Sequence, residues 1–274
     1  MRFAFSSNAF RQYSLVETIT NLARIGYEGI EIMADAPHAF PESMSRESVE
    51  TIRETLRRNG MTVSNINAFT MHAVGDTWHP SWIEPDPQKR KKRLDHTLRC
   101  LDLAVALGAE TVSTEPGGPL HGMDRNEALQ LFHDGLAVVW EKAKRLGLRV
   151  LIEPEPGLLI QTSSEFMDFY GGLDPTVFGL NFDVGHFFCV GEDPAALVPV
   201  LRHCAFHYHL EDIPESRVHV HTALGKGAMD IPAILQALYA TGYDGFVTVE
   251  LYPYQDDPIA VAEHAMAYLR GLSL

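Results

Sequence analysis

Residues 205–221 read AFHYHLEDIPESRVHVH and hold histidines at 207, 209, 219 and 221, with Glu211, Asp212, Glu215 and Arg217 between them. Groups so costly to desolvate do not collect in a core without a use. Imidazoles and carboxylates at this density could ligate a metal or carry protons as general acids and bases. The opening AFHYHL interleaves aromatic and apolar residues with histidines, which reads as a strand. Successive strand side chains alternate faces, so His207 and His209 share one face while Phe206, Tyr208 and Leu210 take the other. With the apolar face packed on helices, the histidines look into a polar interior.

The frame that would hold them is repeated along the chain. A helical stretch, a glycine and a short β-rich run ending in polar residues recurs as ARIGYEGIEIMAD, RRNGMTVSNIN, ALGAETVSTEPGG, RLGLRVLIEPEPG and ATGYDGFVTVELYP. The glycines, Gly26, Gly60, Gly108, Gly147 and Gly242, sit where a helix would end in a left-handed residue before the chain turns into a strand. Ser14 with Glu17, Asp124 with Glu127 and Thr162 with Glu165 have capping-box spacing. Asp-Pro pairs at 86–87, 193–194 and 257–258 put proline at a first helical position. Strands are expected near 2–6, 28–33, 61–66, 110–114, 148–153, 178–183, 204–210 and 245–251. Helices are expected near 14–26, 45–59, 87–108, 124–147, 162–170, 192–202, 230–241 and 257–271. Strict alternation implies a parallel sheet, and this many units in 274 residues imply an α/β chain folded as a single (β/α)8 TIM barrel over 1–274. An open doubly wound sheet would carry a glycine-rich first turn, whereas SSNAFRQYS has no glycine.

In such a barrel the active site lies at the C-terminal ends of the strands. Strand five finishes in Glu153, strand six in Asp183, strand seven in His209 and strand eight in Glu250. Leu151, Asn181, His207 and Thr248 form the inward layer beneath. Four consecutive strands thus end in a metal-capable side chain on one face. Hard oxygens with a single imidazole suit one divalent ion, Mn²⁺ first, with Mg²⁺, Co²⁺ or Zn²⁺ as alternatives, and lack the thiolates of structural zinc. Such an ion would polarise a carbonyl or hydroxyl oxygen, and two of its carboxylates could exchange protons with substrate carbon.

Composition narrows the partners. Formal net charge is −14, with 46% hydrophobic and 21% charged residues, a globular balance without the basic surface of a general nucleic-acid binder. The basic run QKRKKR at 88–93 reads as a solvated helical face. The chain opens without a signal-peptide core, and no apolar run is long enough to span a membrane. Cys100, Cys189 and Cys204 have no paired spacing, so a reduced cytoplasmic protein is the expectation, with Cys189 and Cys204 as small core residues. No GxSxG elbow is present, which sets nucleophilic serine catalysis aside.

The motifs LIEPEPG, NFDVGHF, HYHLED and VTVEL resemble the xylose-isomerase-like TIM-barrel superfamily of sugar isomerases and epimerases, which includes D-tagatose and D-psicose 3-epimerases, inosose isomerases and dehydratases, and endonuclease IV. The resemblance runs along essentially the whole chain. It implies Glu153, Asp183, His209 and Glu250 as ligands of one Mn²⁺-type ion. It also implies Glu153 and Glu250 as the catalytic acid–base pair on either face of a substrate, and His186 of the DxxH motif as a contact to substrate oxygens. Arg217 is the nearest match to a substrate-binding arginine of the epimerases, displaced by two residues. Their further substrate glutamate falls here on Leu159, with Glu155 as a substitute, so substrate identity does not carry over.

The implied activity is a metal-dependent isomerase or epimerase of a small ketose or cyclic keto-polyol, working through an enediolate. A dehydratase of the inosose type is the alternative. SRVHVHTALGKG also resembles the strand-seven loop of endonuclease IV, but the acidic balance argues against DNA, and His219 and His221 are expected to shape a substrate pocket. The expected partner is a sugar or cyclitol, with no nucleic acid and no membrane, and a homo-oligomer as an open alternative. Gly225-Lys226-Gly227 reads as a plain turn into a helix. Asn8, Glu31, Asn65, Asn67 and Glu115 would offer partners to substrate hydroxyls, and the segment 70–86, with Trp78, His79 and Trp82, is expected to form a lid that stacks on sugar.

Overall fold

A computed structural model describes residues 1–272. Eight parallel strands close in chain order into a barrel. They are β1 Arg2–Ser6, β2 Gly29–Met33, β3 Thr62–Asn67, β4 Thr111–Thr114, β5 Arg149–Ile152, β6 Phe178–Asp183, β7 Ala205–Leu210 and β8 Phe246–Val249. The returning helices are α1 Leu15–Ile25, α2 Arg46–Asn59, α3 Pro87–Leu107, α4 Arg125–Leu146 and α5 Ser163–Tyr170, then α6 Val184–Cys189, α7 Pro194–Leu201, α8 Ile231–Ala240 and α9 Pro258–Gly271. The barrel read from the sequence is the one found, and no strand end departs from its expected place by more than 2 residues. The short α6 was not anticipated. Among the described residues no helix is long and apolar enough to cross a membrane.

Local chemistry explains these boundaries. Ser14 and Thr162 form reciprocal capping boxes with Glu17 and Glu165, while Asp124 accepts from the backbone of Asn126 and Glu127 without the return bond. Proline follows the cap at the start of α3, α7 and α9, where its missing N–H costs nothing. α1 to α4 each end on a left-handed glycine.

The outer faces of the strands carry Phe5, Ile30, Ile32, Ile66, Val112, Leu180, Phe182 and Tyr208, all buried against helix residues such as Ile19, Leu22, Leu101, Leu136 and Phe166. Each such side chain contributes about 1.5–3 kcal/mol by leaving water. The inside of the barrel is different. Aliphatic layers usually fill it, but here Ser6, Glu31, Asn65, Ser113, Asn181, His207 and Thr248 are buried there and hydrogen-bonded to one another. The polar face expected of β7 is thus part of a largely polar floor, which Leu151 of β5 also joins.

Two register shifts set that floor. Ile30 pairs with Val63 but Glu31 pairs with Asn65, and Leu180 pairs with Ala205 but Asn181 pairs with His207. Such irregularities re-aim side chains. They bring Asn65 beside Glu31, and put His207 and His209 in step with Asn181 and Asp183.

The packing of α3 on the segment that precedes it corrects two expectations. Arg93 does not belong to a solvated face: it is fully buried, and donates from Nε to the Pro80 carbonyl (2.9 Å) and from Nη1 to the carbonyls of Ala68 and Phe69 (2.8 Å each). A loop whose carbonyls turn inward needs such a donor. Trp82 is not free to stack on a ligand. Its ring lies buried against Phe132 and its indole nitrogen donates to Thr114 Oγ1 at 2.9 Å. Cys204 is buried as expected, whereas Cys189 is only half-buried.

Candidate active site

At the C-terminal mouth of the barrel, Glu153 follows β5, Asp183 ends β6, His209 lies in β7 and Glu250 follows β8. One ligand atom from each falls within 4.8 Å of the others. His209 Nδ1 stands 3.0 Å from Glu153 Oε1, 3.5 Å from Glu250 Oε2 and 3.6 Å from Asp183 Oδ2. The two glutamates are each tethered by one oxygen. Asn181 Nδ2 donates to Glu153 Oε2 and Asn8 Nδ2 to Glu250 Oε1, both at 2.8 Å. Asp183 caps α6, its Oδ1 accepting from the His186 backbone at 2.8 Å, while its Oδ2 is buried with no hydrogen-bond partner.

The electrostatics call for a cation. Burial opposes charge on His209, yet Glu250, Glu31 and Glu153 outweigh it and hold its pKa well above the ordinary value. Burial pushes Glu250 up to about 8, with Glu153, Glu31 and Asp183 adding to it against His209. Three carboxylates crowd one imidazole, and the orphaned Asp183 oxygen faces the same space. A buried charge left unpaired is expensive; a divalent ion would satisfy these hard donors together. The residues fit such an ion.

Around this set the other expected residues divide. A cavity of about 460 Å³ opens over it, lined among others by Asn8, Asn67, Trp78, Glu153, Glu155, His186, His219 and Glu250. His186 Nδ1 donates to the Pro154 carbonyl at 2.8 Å, which turns Nε2 toward Glu155 Oε2 at 3.1 Å. Burial works against its charge, but Asp183, Glu155 and Glu153 raise its pKa to about 9. His221 sits behind the cavity wall. Burial pushes its pKa down to about 3, so the neutral ring donates from Nδ1 to the Glu250 carbonyl (2.9 Å) and accepts from His219 Nε2 (3.2 Å). His219 Nδ1 then faces Glu155 Oε1 at 3.3 Å.

Arg217 is not brought to the cavity. It has a positive φ of 58°, its guanidinium lies over the Phe188 ring at 4.1 Å, and it donates to the Phe188 carbonyl at 2.7 Å. The Gly225-Lys226-Gly227 segment is a turn wrapped on Asp212, whose carboxylate accepts from the backbone of Gly225, Gly227 and Met229. Trp78 lines the cavity, as a lid residue would.

Two neighbours of the set were missed in these roles. Glu31, expected to meet substrate hydroxyls, instead bonds His209 Nε2 at 2.7 Å beneath the site. The rule that found the other four residues could have flagged it, but Ile32 and Met33 extend β2 beyond it. Glu211 is fully buried with Oε1 accepting from Gly185 N at 2.5 Å. A Cβ at position 185 would collide with that oxygen, which explains the glycine of DVGH.

The model of the xylose isomerase-like TIM barrel family matches residues 19–272. An inosose dehydratase of Lacticaseibacillus casei is 26% identical over 226 residues, 72% of this chain and 75% of that protein. The crystal structure of a D-tagatose 3-epimerase-like protein superposes with a TM-score of 0.82 at 21% identity, covering 98% of this chain and 96% of that one. The structure of the IolI protein with a bound zinc atom gives 0.81 at 19% identity over the whole of both chains. The family model covers most of the chain and the barrel agrees with it: this chain belongs to the xylose isomerase-like TIM barrel family.

Proposed function

We propose that the protein is a divalent-metal-dependent isomerase or epimerase of a small ketose or cyclic keto-polyol. The observation that carries this reading is the tethering of two carboxylates within one metal-capable set. Asn181 fixes Glu153 and Asn8 fixes Glu250, and each glutamate keeps its second oxygen turned toward His209. Glu153, Asp183, His209 and Glu250 would hold the ion, which supplies Lewis acidity to a substrate carbonyl oxygen. Mn²⁺ is the ion the oxygen-rich donors favour.

Glu153 as carboxylate takes the proton from the carbon next to the carbonyl, and the C–H electrons enter an enediolate. Glu250, carrying a proton, returns it to the opposite face, which inverts or relocates the centre. The cycle leaves Glu153 protonated and Glu250 ionised, and solvent exchange or the reverse turnover resets the pair. Glu155, His186 and His219, joined along the cavity wall, bind substrate hydroxyls, and His221 holds His219 in place.

A second reading has its own support. Inosose dehydratases among the relatives make loss of water from the same enolate the alternative. Incubation of the Mn²⁺-loaded protein with ketoses and inososes in D₂O decides between them. Deuterium incorporated at one carbon without change in substrate composition supports the isomerase reading. Loss of water from the substrate supports the dehydratase, and absence of both exchange and water loss with every such substrate sinks both readings.

A further inference from the structure

Beneath the candidate metal set, the carboxylate of Glu31 is enclosed by donors alone. Its Oε1 accepts from Ser6 Oγ at 2.8 Å and Asn67 Nδ2 at 3.1 Å, and its Oε2 from Asn65 Nδ2 at 2.9 Å. The orientation of the Asn67 amide is determined by its other end: its Oδ1 accepts from the Phe69 backbone N–H, which can only donate, so its NH₂ must face Glu31. Asn65 Oδ1 accepts from the Thr111 hydroxyl, which leaves its NH₂ to Glu31 and Ser113. His207 is occupied elsewhere, with Asn181 Oδ1 and Thr248 Oγ1 each at 2.7 Å. In each of its contacts the Glu31 carboxylate accepts, with the Asn65 and Asn67 amides unable to take a proton from it, and it accepts likewise from His209 Nε2 at 2.7 Å.

We propose that Glu31 is a positioning residue that fixes His209 with its proton on Nε2, so that Nδ1 alone is offered to the metal. The inference rests on the metal-dependent reading above. Nδ1 is the nitrogen that faces Glu153, Asp183 and Glu250. The register shift between Ile30 and Glu31 puts Asn65 rather than Ser64 beside the carboxylate, and so completes its ring of donors. Gln at position 31 would keep the shape but carry an NH₂ into that ring. Turned toward His209, it faces Asn65 and would make Nε2 an acceptor; turned away, it opposes Asn67. Outer partners of this kind typically govern metal affinity by about 10–100-fold.

The test uses the full chain loaded with Zn²⁺ and labelled with ¹⁵N-histidine. Long-range ¹H–¹⁵N spectra should show His209 protonated at Nε2 and coordinated through Nδ1. Competition with a chromophoric chelator should give Kd values for Zn²⁺ and Mn²⁺ about 10–100-fold weaker in Glu31→Gln than in the natural chain. Ser113→Ala, which removes a bond from the same network without touching Glu31 or His209, should lower Tm and leave Kd within about twofold. Coordination through Nε2, or a Kd unchanged in Glu31→Gln, would overturn the assignment while leaving the metal reading intact. A natural chain that binds neither ion would overturn both.

Discussion

Arg93→Met is the most informative perturbation outside the site. The guanidinium makes 3 hydrogen bonds to loop carbonyls and lies 3.9 Å from Glu115, with neither side chain exposed. Bonds to a charged donor are each worth about 1.5–3 kcal/mol, but methionine also escapes the desolvation of burying a cation. Breaking a buried pair usually nets about 3–5 kcal/mol, which for a chain of this size is a Tm loss of roughly 10 °C. The loss should depend on pH. Burial raises Glu115 to about 7 from an ordinary 4.5, with Arg93 opposing. Because the folded pKa lies above the unfolded one, the favourable contribution of the protonated carboxyl is present at low pH and lost as pH rises through about 7. Removing Arg93 raises the folded pKa further, so the deficit of the variant should grow from about pH 6 to about pH 8.5. Urea unfolding at the two pH values measures it. A deficit below about 1 kcal/mol would refute Arg93 as the anchor of this loop, and one equal at both pH values would refute its coupling to Glu115.

Three further outcomes are expected. Glu153→Gln and Glu250→Gln, assayed at saturating metal, should each lower deuterium exchange into substrate by about 10²–10⁴-fold, and full exchange in either would exclude the two-carboxylate scheme. Arg217→Ala should leave kcat and KM within about twofold, because its guanidinium is spent on Phe188; a tenfold rise in KM would place it on the substrate after all. Chelation of a metal present at about 100 times its Kd should remove about 2.7 kcal/mol and lower Tm by roughly 5–10 °C, while an unchanged Tm would count against a resident ion.

Much of the fold was legible because its signals are local. A left-handed glycine or a capping serine acts within one turn of its own helix, so strand starts could be placed from a few residues. The four strand-end residues that converge at the barrel mouth were legible because parity along each strand is also local. What escaped depends on distant parts of the chain. Arg93 sits in a run of like charges, and only carbonyls contributed by residues 68–80 make it a buried donor. The register shifts at Ile30/Glu31 and Leu180/Asn181 leave no mark in either strand, yet they decide which polar residues meet. Arg217 had the right type and near-right spacing, and Phe188, 29 positions away, holds its guanidinium outside the cavity.

The contact between Glu31 and His209 joins residues 178 positions apart, from β2 to β7 across the barrel interior. A half-barrel built from the first four strands would bury Glu31 without its imidazole, and one built from the last four would bury His209 without its carboxylate. Neither half can hide these groups from water on favourable terms until the ring closes. Closure, which is usually a matter of aliphatic packing, is here also the step that pairs these two buried groups. The chain should therefore unfold as one cooperative unit, and separately expressed halves should gain order only when mixed.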